Sequence, residues 1–256
     1  MTQLAALVLV AGSLYEQSLV RLLRERFPEA RTSYLLVEAR TGRLVDSRWE
    51  NAERPVPVGS LVKPFTALAY GEAHQYRYPE YLCRGKASRC WLARGHGRIG
   101  ISEAVAHSCN AYFRALAVQV RVEDVANLAQ RYGMEAPPAG STAQTLIGLG
   151  GGWRVAPLAL ARAYCRLVEE PRAAELVRGM AMSARSGTGK AARMGLVKTG
   201  TAPCVHHPKA PGDGYVMALY PAESPRYALL VRVHGVPGAE AAVVAGQMLR
   251  AIRDGK

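Results

Sequence analysis

Three groupings of nucleophilic and cationic side chains occur in this chain of 256 residues. Ser60 and Lys63 form S-x-x-K. On a helix that spacing puts a hydroxyl and an amine on one face. A serine hydroxyl is a weak nucleophile until a base takes its proton, and a neutral lysine is such a base. A free lysine titrates near 10.4, so discharging it at pH 7 costs about 4–5 kcal/mol. Burial and a second cation lower that cost. Ser108 and Asn110 form S-x-N. The serine could relay a proton to a leaving amine, and the amide could hold a carbonyl or a lysine. Lys198-Thr199-Gly200-Thr201 is K-T-G-T on a predicted strand. Glycine inside a strand weakens it and often marks close approach of a ligand backbone. S-x-x-K and S-x-N each arise by chance about once in a chain this long, and K-T-G in about one chain in twenty. They come in this order, 48 residues from 60 to 108 and 90 from 108 to 198; the first opens a helix, the second sits in a helical block and the third lies on a strand, which specifies three sides of a cleft.

The elements that must position these groups are legible from pattern. Residues 18–26 have helical spacing and stop at Pro28. Residues 33–39 and 43–46 flank Arg40-Thr41-Gly42 as a β-hairpin. A Pro/Gly-punctuated approach, 55–59, leads into a helix over 60–73. Pro64 lacks an N–H and is tolerated only in a first helical turn, so that helix begins near Ser60 and offers the hydroxyl its positive end. Residues 74–193 read as helices over 102–106, 110–119, 122–132, 156–169 and 173–185, with a Pro/Gly-rich loop over 136–153. Strands follow at 195–201, 215–219 and 227–233, then a helix over 239–253. Grouped strands and grouped helices imply α+β. The expected architecture is a five-stranded antiparallel sheet flanked by terminal helices, with an all-helical lobe. The sheet lobe would take about residues 13–58 and 194–256, and the helical lobe about 60–193.

Composition narrows the classes. Hydrophobic residues make 49% and charged residues 21%, ordinary globular values that exclude disorder. No apolar run reaches the roughly 18–20 residues a membrane span needs. The net charge is +13, and only six of the 33 basic residues are lysine. The arginines are spread, without a basic block or a nucleic-acid-binding motif, so no nucleic-acid partner is implied. Residues 4–12 (LAALVLVAG) resemble a short secretory signal that lacks its basic start, which makes 1–12 a candidate signal segment. The alternative is an apolar helix packed on the body.

The five cysteines are too few for a disulfide scaffold, and their spacing gives no paired CxxC zinc motif. Cys83 and Cys90 would be able to bridge in an exported protein. Cys109 and Cys165 fall on predicted helices as buried thiols. Cys204-Val205-His206-His207 places soft ligands together, but spacing indicates no fourth, and an exposed hairpin tip is the plainer reading. Trp91, Trp153 and Tyr112 read as cleft-lining or core residues, with core the plainer reading.

The three motifs match the S-x-x-K, S-D-N, K-T-G signature of penicillin-recognising serine enzymes. The chain resembles the transpeptidase domain of penicillin-binding proteins over about residues 33–235. The likeness is carried by residues 57–65 (PVGSLVKPF), 95–97 (GHG), 108–113 (SCNAYF), 155–161 (VAPLALA), 187–192 (GTGKAA) and 198–202 (KTGTA). The resemblance implies that Ser60 attacks the carbonyl of a D-alanyl-D-alanine stem peptide or a β-lactam, and that Lys63 is the base. It implies that Ser108 returns the proton with Lys198 nearby, and that Asn110 orients Lys63 and the substrate amide. Lys198 and Thr199 would bind the substrate carboxylate beside Gly200 and Thr201. The N–H groups of Ser60 and Thr201 would form an oxyanion hole, where one donor is worth about 3–4 kcal/mol. Implied partners are stem peptides, β-lactams and cell-wall synthesis proteins; the resemblance implies a periplasmic or otherwise extracytoplasmic location, and no cofactor or metal is expected.

Large members of that family carry a glycosyltransferase or pedestal domain ahead of this one. About 32 residues precede the first predicted strand, so a bare catalytic domain is expected, and carboxypeptidase turnover stays open beside transpeptidation. A class D-like serine β-lactamase has similar length and two of the motifs, but its middle motif ends in a branched aliphatic residue where Asn110 stands. A class A enzyme needs a deacylating glutamate. Glu123 with Asn127 lies 13 residues past Asn110 in a predicted helix and reads as an exposed helical charge. A slow-turnover penicillin-binding sensor or scaffold is the alternative from another class.

Overall fold

The computed structural model describes residues 14–28, 30–204 and 212–255. The expected signal segment and His206-His207 lie outside them. The described residues open with α1 (Leu14–Arg26), β1 (Thr32–Glu38) and β2 (Leu44–Ser47). It continues through β3 (Val56–Pro57), a 3-10 turn over Gly59–Val62 and α2 (Lys63–Ala73). A short hairpin, β4 (Tyr81–Cys83) and β5 (Gly97–Ile99), precedes α3 (Ile101–Ala106), α4 (Asn110–Ala117), α5 (Val122–Arg131) and α6 (Ala143–Leu146). Then come β6 (Arg154–Val155), α7 (Pro157–Glu169), α8 (Ala174–Ser186), β7 (Leu196–Ala202), β8 (Asp213–Tyr220), β9 (Tyr227–His234) and α9 (Gly238–Asp254).

The main sheet is antiparallel throughout, in the order β2-β1-β9-β8-β7. The expected α+β class and five-stranded sheet are present. Chain ends meet at its centre, where Leu35 pairs with Leu230. Side chains alternate across a strand, so one strand feeds two cores. Tyr34 and Leu36 of β1 join Leu229, Val231, Val216 and Ala218 under α1 and α9, with Leu19, Leu23, Ala245 and Leu249. Leu35 and Val37 join Leu230 and Met217 in the larger core, with Leu160, Tyr164 and Phe65. Both faces are covered, which is why these strands read as continuous apolar runs. A buried leucine contributes roughly 1.5–3 kcal/mol.

Three expectations are corrected. The segment 74–193 also holds the β4–β5 hairpin, and β6 pairs β3. The 136–153 loop contains the one-turn helix α6, capped by Thr142. Regular α-helix begins at Lys63 rather than Ser60, which sits in the preceding 3-10 turn, while Pro64 occupies the first turn of α2 as expected.

Candidate active site

The 3-10 turn carries Ser60. Gly59 adopts φ +59, and a Cβ there would meet Thr201 O at 2.3 Å. Gly200 admits the turn in the same way, since a Cβ on it would lie 2.8 Å from Val58 O. The close approach at Gly200 is therefore to the chain's own backbone, not to the ligand backbone expected from the sequence. Tyr164 OH donates to Leu61 O at 2.7 Å and ties the turn to α7. The Ser60 side is half-buried, and among the described residues its Oγ makes no hydrogen bond.

Lys63, first residue of α2, is fully buried. Its Nζ donates to Ser108 O at 2.9 Å, to Ser108 Oγ at 3.2 Å and to Asn110 Oδ1 at 2.6 Å. The Phe113 ring lies 5.5 Å away. Lys198, in β7, is equally buried. Its Nζ donates to Ser108 Oγ at 2.9 Å and Thr199 O at 2.7 Å. Ser108 thus joins two lysines that lie 135 residues apart (63 and 198). It occupies the turn between α3 and α4 at φ +50, a conformation that costs a non-glycine residue about 1–3 kcal/mol and collects at functional sites.

Among the described residues neither lysine has an ion-pair partner. Burial lowers Lys63 to about 7; the Arg114 charge adds to this, and Cys109 and Cys90 oppose it. Burial, then the Lys63 charge, holds Lys198 well below its ordinary value. The contacts suit a neutral Lys63. In the neutral form its two N–H groups serve Ser108 O and Asn110 Oδ1, and the 3.2 Å contact reverses, the Ser108 hydroxyl donating to the Nζ lone pair.

Sequence reasoning missed Thr188. Its Oγ1 accepts from Thr199 Oγ1 at 2.6 Å and donates to Ala106 O at 3.3 Å. The signal available was its place in the 187–192 GTGKAA segment. Thr201 is exposed, and its Oγ1 accepts from Gly238 N at 3.0 Å, which anchors the start of α9. A cleft of about 830 Å³ opens beside the site, lined by Trp91, His96, His107, Thr188 and Lys190 among others, but not by Ser60.

Trp153 and Tyr112 are core residues, each 1% exposed, whereas Trp91 is exposed on the cleft. Glu123 is exposed on α5, as expected. Cys109 and Cys165 are buried. Cys83 and Cys90 are not bridged; all five cysteines are free.

A family model described as penicillin binding protein transpeptidase domain matches residues 32–254. No curated protein matches the chain. Among solved structures, Pseudomonas aeruginosa PBP2 in complex with WCK 5153 superposes with TM-score 0.74 at 17% identity, covering 94% of this chain and 73% of that one. Helicobacter pylori PBP2, solved with MreC, gives 0.73 at 18% identity, covering 94% of this chain and 62% of that one. The transpeptidase domain of Burkholderia pseudomallei penicillin-binding protein 3 gives 0.66 at 17%, covering 94% and 92%. At these identities the likeness is one of fold.

Proposed function

Because this chain belongs to the penicillin-binding protein transpeptidase family, we propose that it is a peptidoglycan D,D-transpeptidase acting through an acyl-serine on D-Ala-D-Ala stem peptides. The observation that carries the proposal is the shared Ser108 hydroxyl, held by two buried lysines, one of which, Lys63, stands three residues after Ser60.

Ser60 Oγ attacks the carbonyl of the penultimate D-alanine, and its proton passes to Lys63 Nζ. The oxyanion forms between the N–H groups of Ser60 and Thr201, a role supported by the backbone contact of Gly59 with Thr201. The C–N bond breaks, and the terminal D-alanine leaves with a proton delivered through Ser108. Asn110 keeps Lys63 on the motif. Lys198 and Thr199 hold the substrate carboxylate, with Thr188 fixing the Thr199 hydroxyl. An amine of a second stem peptide then attacks the ester, frees Ser60 and makes the cross-link.

This reading puts the chain outside the cytoplasmic membrane, where stem peptides are cross-linked. Among the described residues no helix is long and apolar enough to cross a membrane. The Helicobacter pylori neighbour was solved with MreC, and cell-wall synthesis proteins are the partner class proposed here. The test is intact mass after incubation with benzylpenicillin, followed over hours. A stable adduct of one penicillin on the wild type and none on Ser60→Ala supports the reading. Adduct loss within seconds, with hydrolysed drug accumulating, replaces it with a β-lactamase.

A further inference from the structure

We propose that Cys83, Cys90, His96 and Cys109 form a closed tetrahedral Zn²⁺ site that holds the turn carrying Ser108 and Asn110. The four ligand atoms all lie within 4.8 Å of one another. His96 Nδ1 is 3.5 Å from Cys83 Sγ and 3.5 Å from Cys90 Sγ, and Cys90 Sγ is 3.7 Å from Cys109 Sγ. Zinc bonds of about 2.3 Å to sulfur and about 2.0–2.1 Å to nitrogen give tetrahedral edges of about 3.8 Å between sulfurs and about 3.5 Å between sulfur and nitrogen. The observed separations are those edges, and they are far from the roughly 2.05 Å of a disulfide.

The surrounding chain needs such a staple. Between Leu82 and Arg98 the buried residues are Cys83, Gly85 and Cys90. The rest includes exposed Arg84, Lys86, Arg89 and Arg94, so the loop has no apolar core of its own. Its ends are drawn together by backbone approach, since a Cβ on Gly95 would meet Cys83 O at 2.2 Å. A metal supplies the folding energy that a small loop cannot bury. Three thiolates and one imidazole with no open position make a structural site rather than a catalytic one. The soft donors disfavour Mg²⁺ and Ca²⁺, and the three thiols fall short of the Cys₄ set common to iron–sulfur clusters. On binding, Zn²⁺ displaces the three thiol protons to solvent and takes the imidazole lone pair.

Cys109 stands between Ser108 and Asn110, the residues that hold Lys63. Its thiolate bond to the metal would fix the left-handed Ser108 from the next residue along. His96 also meets the Trp91 ring edge-on at 5.5 Å, and Trp91 Nε1 donates to His107 O at 3.1 Å, so the metal loop makes one wall of the cleft. The metal site stands without the transpeptidase reading; only its effect on acylation rests on that reading.

The test begins with elemental analysis of full-length protein purified without chelator and equilibrated with Zn²⁺. One zinc per chain is expected, falling at least tenfold in Cys83→Ser. Chelation of the wild type should make Cys83, Cys90 and Cys109 alkylable, and Zn²⁺ should protect them again, so the test holds even where the variant fails to fold. Co²⁺ in place of zinc should show tetrahedral d–d absorption and a thiolate charge-transfer band. No bound zinc, a Cys83–Cys90 disulfide by mass, or alkylation indifferent to Zn²⁺ would overturn the proposal. Zinc at one per chain with no penicillin adduct at Ser60 would sink the transpeptidase reading and leave the metal site intact.

Discussion

Lys63 Nζ and Lys198 Nζ both meet one atom, Ser108 Oγ, at 3.2 and 2.9 Å. Two buried ammonium groups on a single hydroxyl disfavour each other, and burial disfavours both. The arrangement keeps one amine available as a base at neutral pH, and it makes the Ser108 hydroxyl a bridge between the S-x-x-K helix and the K-T-G strand.

Ser60→Ala should abolish the penicillin adduct while changing stability by no more than about 0.5 kcal/mol, because the Ser60 hydroxyl is half-buried and holds no hydrogen bond among the described residues. Intact mass and a melting curve check the two halves. A labelled variant would remove Ser60 as the nucleophile.

Acylation should rise with pH through about 7, as Lys63 loses its proton. Stability follows the same group. Between about 7 and its ordinary value of 10.5 the folded lysine is neutral and the unfolded one charged. The unfolded state then binds more protons, so stability increases with pH across that window. Lys63→Met should flatten this slope in denaturant titrations and slow acylation by about 10²–10⁴-fold. An unchanged acylation rate would exclude Lys63 as the base.

Lys198→Ala should weaken recognition of carboxylate-bearing substrates roughly 10- to 100-fold, the worth of a hydrogen bond to a charged group. The same variant should bind a carboxylate-amidated analogue about as well as the wild type does. Equal losses for acid and amide would assign Lys198 to proton handling alone.

Gly200→Ala should destabilise by about 1–3 kcal/mol, because the new methyl meets Val58 O at 2.8 Å and Leu61 N at 3.3 Å, backbone atoms that cannot swing aside. Acylation should fall with it, since the displaced segment carries Ser60. Chemical denaturation and the penicillin adduct rate measure both effects, and a variant as stable and as reactive as the wild type would refute the packing account.

Local pattern carried much of this protein. Short apolar runs bounded by turn chemistry identify the strands near 33–39, 195–201, 215–219 and 227–233, and their grouping is enough for an antiparallel α+β sheet. Motif order is enough to nominate Ser60, Lys63, Ser108, Asn110 and Lys198, because each motif is a local constraint within three or four residues. Pro64 marks a first helical turn for the same reason, its missing N–H being a property of the residue itself.

Spacing says nothing about convergence. Thr188 reaches Thr199 only when α8 and β7 pack together. The left-handed Ser108 is imposed by the turn between α3 and α4, against its intrinsic preference. The short β3–β6 and β4–β5 pairs are too brief for a period to register. The cysteine cluster is the clearest case. Cys83, Cys90 and His96 share one loop, but Cys109 comes from the start of the next helix pair, and no separation along the chain marks four ligands as neighbours until folding brings their sulfur and nitrogen atoms to one point.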